Sequence, residues 1–153
     1  MSITIQIQDG PLRERPPEWA ATSAPSVVGA VVNFEGVVRG IEHGRTITAL
    51  AYETYEPMAS RQLRRLAEDL LRSFGLMAVC VEHSRGLVPV GRCAFRLRVA
   101  AAHRAEALGA VAAFVDRLKQ DVPIWKRPVY ADADATEPRA AERHAPQPGA
   151  ESQ

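Results

Sequence analysis

Two stretches of this chain carry a helical period, set among runs that alternate or are rich in β-branched residues. That arrangement limits the fold more than any single motif does. After Pro57, the residues Leu63, Leu66, Ala67, Leu70, Leu71 and Phe74 recur at spacings of three, four and one. Arg61, Arg64, Arg65, Asp69 and Arg72 take much of the other face. This predicts an amphipathic helix with Pro57 in its first turn and Gly75 at its end. The second helical run opens at His103-Arg104 and is interrupted by Pro123. Its predicted buried stripe is Leu108, Val111, Ala112, Val115 and Leu118, with Phe114 alongside.

The remaining apolar segments read as strands. Residues 3–7 (ITIQI) alternate and are closed by Asp9-Gly10-Pro11. Residues 11–26 hold four prolines and read as a loop, with a possible helical turn at Glu18-Trp19-Ala20. Residues 27–38 read as a central strand in which Gly29 and Gly36 mark bends, bulges or close backbone approaches. Residues 39–45 read as a long hairpin loop and 47–55 as the returning strand. Residues 76–82 form a further strand, 83–91 a turn-rich connection. Residues 93–100 place Phe95, Leu97 and Val99 on one face, with Arg96 and Arg98 on a face that is wet or meets a partner. Strands joined both by hairpins and by helices predict an α+β fold, its sheet covered on one side by helices.

Charge excludes some functions. The net charge of +1 gives no bulk attraction to nucleic acid or membrane. Residues 131–153 hold five acidic residues against two arginines, a net of −3, which leaves +4 on the body from 17 basic and 13 acidic residues. That bias suits one small anionic ligand or an acidic partner surface and is too weak for a nucleic-acid footprint. The tail, rich in Ala and Pro, is expected to be partly disordered and separate from a domain at 1–130. Cys80 and Cys93 lie in apolar runs and read as free buried thiols, with a disulfide or a catalytic thiol as the alternatives. No Cys/His cluster has zinc spacing, and no glycine-rich phosphate loop follows a strand. No apolar run reaches membrane-spanning length, and a cytosolic location is expected.

The basic residues at both ends of the second helix are the candidates for chemistry. His103 and Arg104 stand where unpaired helix N–H groups favour an anion; the alternative is a surface arginine beside a histidine at the strand end. Pro123 keeps Lys119 and Lys126 off one continuous helical face, so the chain must turn at 120–122 for Lys126 to fold back toward the helix end. Two ammonium groups held close would depress one pKa and leave a neutral amine as base or nucleophile, with the other cation stabilising negative charge. The alternative is two solvated lysines. Trp125 reads as a packing anchor or a ligand platform. Arg39, His43 and Arg45 lie on the first loop, either solvated or closing over a ligand, and Phe34 reads as core. By residue chemistry alone this is an anion-binding, lysine-assisted site.

The runs FEGVVRG at 34–40, YETYEPMA at 52–59, VEHSRGLVPVG at 81–91, AHR at 102–104 and LKQDVPIWKR at 118–127 resemble the large, catalytic subunit of molybdopterin synthase, the MoaE family. The resemblance covers residues 1–130. It implies an α/β hammerhead-type fold, with an antiparallel or mixed sheet covered by helices and a short β subdomain. It also implies a homodimer that binds a small ubiquitin-like sulfur carrier of the MoaD type at each end, a heterotetramer. The carrier's Gly-Gly thiocarboxylate would supply two sulfurs to cyclic pyranopterin monophosphate, forming the dithiolene of molybdopterin, with no cofactor or metal of the subunit's own. By the same resemblance Lys119 is the essential lysine and Lys126 its partner. Arg39, His103, Arg104 and Arg139 bind substrate, and Phe34 and Trp125 line the channel for the carrier tail. Three positions depart from the family pattern. Ala102 replaces a serine or threonine, Pro128 an acidic residue, and the family's C-terminal segment, with its tryptophan and subunit-crossing arginine, has no clean equivalent, Arg139 being the nearest match in spacing and Arg143 a weaker one. The altered tail leaves a second reading, a diverged paralogue that binds the carrier as a scaffold without efficient catalysis.

Overall fold

The computed structural model describes residues 1–14 and 27–132. In chain order the elements are β1 (Ser2–Asp9), β2 (Ala30–Val37), β3 (Ile41–Glu42), β4 (Arg45–Thr54), α1 (Met58–Ser73), β5 (Ala78–Pro89), β6 (Cys93–Ala101), α2 (Arg104–Asp121) and β7 (Ile124–Tyr130). The main sheet runs β1-β5-β6-β2, with β1 parallel to β5 and the other pairs antiparallel. Both helices lie on one face of it, α1 against β1 and β5, α2 against β6 and β2. The α+β expectation holds.

Local chemistry explains the elements. α1 buries Ala59, Leu63, Leu66, Ala67, Leu70 and Leu71 on the predicted stripe. Gly75 ends it at φ +60°, and the Leu76 N–H donates to the Leu71 carbonyl at 2.9 Å, a closure that needs the left-handed conformation glycine adopts freely. The shared core joins this stripe to Val79 and Val81 of β5, Leu97 and Val99 of β6, and Ala107, Ala110 and Phe114 of α2. A smaller core of Val38, Ile47, Leu50, Val88 and Ala94 lies under β4, where β7, β3 and the end of β5 form the short β subdomain.

Five local expectations are corrected. The segment read as a central strand is the edge strand β2, paired only with β6; its period-two exposure shows one buried face, not two. Its glycines do mark close approach and a bulge. A Cβ on Gly29 would stand 2.1 Å from the Ala102 carbonyl oxygen, and the register with β6 shifts between Gly36 and Val37. The loop at 39–45 is a tight hairpin, β3 to β4, turned at His43 (φ +51°) and Gly44 (φ +74°). The connection at 83–91 is mostly strand. Beyond Gly86, at φ +83°, β5 leaves β1 and β6 and pairs with β4, so one strand serves both sheets. In α2 the packing falls to Ala107, Ala110, Val111 and Phe114, while Leu108 is exposed, because the small alanines let the helix sit close to the sheet. Finally, Arg96 does not face water: it is 4% exposed, and its guanidinium donates to Glu35 at 2.7 Å and to Glu82 at 3.2 Å along one cross-strand row.

Cys80 is buried on β5 and Cys93 half-buried on β6, and neither is in a disulfide. The turn expected at Glu18-Trp19-Ala20, and the tail with Arg139 and Arg143, lie outside the described residues.

Candidate functional site

Pro123 builds the site. The Val122 N–H closes α2 on the Leu118 carbonyl at 3.3 Å, and Val122 is extended. Pro123 offers no N–H to continue the helix. The chain reverses, and β7 runs back along β4 with Lys126 opposite Tyr52. Between the last turns of α2 and the start of β7 lies a cavity of about 410 Å³. Val115, Leu118 and Ile124 line one side. Phe34, Leu50, Tyr52, His83 and Phe95 come from the sheets, and Arg39, Glu42, Lys119 and Lys126 supply charge. An apolar floor under convergent charges is the usual form of a small-ligand site.

Lys119 and Lys126 thus reach one cavity from the two sides of Pro123, as the sequence required of a shared site. What Lys126 touches, however, is a carboxylate: its ammonium donates to Glu42 Oε1, while Glu42 Oε2 stands 3.9 Å from Arg39. The Glu42 side chain is only 11% exposed. Hydrogen bonding to Lys126 holds its carboxyl below the usual carboxylate range, against a smaller opposing effect of burial. Sequence reasoning passed over Glu42. The His43-Gly44 turn was the available signal, since it fixes the β3–β4 register and so where Glu42 stands.

His83 is the second residue the sequence did not single out. It is 5% exposed, edge-on to Tyr52 at 5.4 Å and tilted against Phe95 at 5.7 Å. Its Nδ1 lies 2.8 Å from the Ser84 carbonyl, which only accepts, so the proton sits on Nδ1 and Nε2 is an acceptor. Burial pushes its pKa down, so the ring stays neutral. Phe34 lines the cavity and meets Phe95 at 6.1 Å between ring centroids.

Other candidates stand apart. Trp125 is 58% exposed and absent from the cavity lining, since neighbouring residues of a strand face opposite sides. His103 and Arg104 border a shallow hollow with Gly29, Ala102 and Ala105 at the other end of α2. An 18-residue helix is about 27 Å long, so within one chain no small ligand touches both these residues and Lys119.

The family model described as "MoaE protein" matches residues 11–121. The chain belongs to the MoaE family. Among the family's members it is 38% identical to the molybdopterin synthase catalytic subunit of Arabidopsis thaliana over 112 residues, 73% of this chain and 56% of that protein. The chain spans about half the length of this and the other leading curated relatives it matches. Among solved structures, molybdopterin synthase from Staphylococcus aureus superposes with a TM-score of 0.66 at 31% identity, covering 71% of this chain and 79% of that one. A protein–protein complex of subunits 1 and 2 of molybdopterin-converting factor from Helicobacter pylori shares the fold. It has a TM-score of 0.64 at 22% identity, over 84% of this chain and 90% of that one.

Proposed function

We propose that this MoaE-family chain is the catalytic subunit of a molybdopterin synthase. It transfers sulfur from the C-terminal thiocarboxylate of a small carrier subunit to cyclic pyranopterin monophosphate. One observation carries the reading: Lys119, Lys126 and Arg39 meet at a single half-open cavity floored by Phe34 and Phe95. Both ligands are anionic, and attack at an acyl–sulfur centre builds further negative charge on oxygen. Cations fixed in a partly dry site stabilise that charge more than water does. Lys119, with no carboxylate beside it at ion-pair distance among the described residues, is the one placed to act on the acyl group. Lys126, held by Glu42, positions charge opposite it.

The substrate role of His103 and Arg104 requires a second copy of the chain, because α2 holds them about 23 Å from Lys119. A homodimer that brings one copy's helix start to the other's lysines supplies both, and Arg139 is the tail residue proposed to cross with them. The carrier's Gly-Gly tail would enter beside Phe34. Trp125, on the outer face, would meet the carrier outside the cavity. No helix among the described residues is long and apolar enough to cross a membrane. We place the reaction in the cytoplasm.

Reconstitution tests the proposal. The full chain, mixed with thiocarboxylated carrier and the cyclic precursor, is expected to form molybdopterin, and Lys119→Ala to lose at least about a hundredfold in turnover, the scale of one oxyanion-stabilising group. Tight carrier binding with no product would leave the scaffold reading in its place.

A further inference from the structure

Among the described residues, Glu42 is the one carboxylate in the cavity's charged lining, set among Arg39, Lys119 and Lys126. It is better enclosed than either cation it touches: its side chain is 11% exposed, against 49% for Lys126 and 82% for Arg39. Nor is it a mobile surface group. The residue pairs with Arg45 across a two-residue turn, and the Ile47 N–H donates to the Gly40 carbonyl at 3.0 Å behind it. The short hairpin therefore delivers this carboxylate to Lys126 from 84 residues away in sequence.

We propose that Glu42 sets the charge and selectivity of the cavity. It is the resident counter-anion of Lys126, and a ligand whose anionic group seats on Lys126 does so by displacing the Glu42 carboxylate toward Arg39. From the described residues, three cations and one carboxylate leave two net positive charges, which matches two singly charged groups, an acyl-sulfur terminus and a phosphodiester, better than one highly charged anion. The exchange leaves no ion bare. Arg39 already lies 3.9 Å from the second carboxylate oxygen and is exposed enough to swing to it. The identity of the two anions rests on the synthase reading; the exchange itself does not.

Calorimetric titration of the full chain with inorganic phosphate tests the exchange without carrier or pterin. Glu42→Gln keeps the shape and removes the competing charge, so it should bind phosphate about fivefold more tightly than the parent chain. In a Lys126→Gln background the same change should gain less than about twofold. Unchanged or weaker binding in a Glu42→Gln chain that melts like the parent overturns the proposal, and so does a full gain that persists without Lys126. If Glu42→Gln does not fold, Glu42→Asp, which withdraws the carboxylate from Lys126, takes its place: a smaller gain supports the exchange and a loss refutes it. A phosphate gain in a chain that makes no molybdopterin would keep the exchange and remove the synthase reading.

Discussion

His83 shows how much a single buried side chain fixes. The Ser84 carbonyl determines its tautomer, Tyr52 and Phe95 hold its ring, and burial keeps it neutral. Above the ordinary imidazole value of about 6.5, folded and unfolded chains carry the same neutral ring and His83 adds no pH dependence. As pH falls below that value the unfolded chain takes a proton that the folded chain resists. Stability therefore drops until pH passes the lower folded-state pKa. In thermal melts between pH 7 and 5, His83→Gln should flatten this part of the profile; an unaltered slope would show that the ring titrates freely. Nothing in the linear sequence distinguished this histidine from His43, which is exposed at a turn. Glu42 was hidden for a related reason. Its partner is 84 residues away, and carboxylates cannot be ranked by chemistry until the sheet brings their neighbours to them. Lys119 and Lys126 were legible, because Pro123 between them forces a reversal that any reader of the chain can infer.

Among elements, what was legible was periodicity with large side chains. α1 was predicted between Pro57 and Gly75 and runs Met58–Ser73, because leucine every three or four residues admits one buried face. α2 was placed correctly but its buried side was drawn too far toward Leu108, since alanine weighs little in a hydrophobic pattern yet sets how closely helix and sheet approach. β5 was cut short at His83 because its polar and glycine residues resemble a turn, whereas Gly86 bends a continuous strand. The row Glu35–Arg96–Glu82 on β2, β6 and β5 likewise overrides the rule that a polar alternation is wet. Arg96 and Glu82 are 4% and 3% exposed, so each neutralises a charge the other cannot leave to water. Arg96→Met should destabilise the fold by about 3–5 kcal/mol by removing the buried guanidinium that pairs with Glu82. Adding Glu82→Gln should return much of that in denaturant melts; no recovery would mean that Arg96 matters through packing alone.

At the scale of the whole molecule, α2 is a ruler. It holds one set of basic residues at its start and another past its end, and its length keeps them from serving one ligand in one chain. If two copies share each site, chains carrying Lys119→Ala and chains carrying Arg104→Ala should complement one another. Neither should turn over alone. After unfolding and refolding as an equal mixture, half the dimers are hybrid and each has one intact site, about a quarter of full activity. No recovery on mixing would place both residues in a site within one chain and contradict the reach of the helix.

The parallel pairing of β1 with β5 bears on how the chain comes into being. Ser2 meets Ala78 and Asp9 meets Arg85, so the strand made early finds its neighbour only after some 76 further residues have been added. At roughly 5–20 residues per second on a ribosome, that is a wait of about 4 to 15 seconds. Throughout it Ile3, Ile5 and Ile7 belong to an apolar strand whose one neighbour in the sheet, β5, has not yet been made. Such a segment is a template for pairing with other nascent chains. An edge of the finished sheet is thus a segment open to chaperones, and to aggregation, while the molecule is being made.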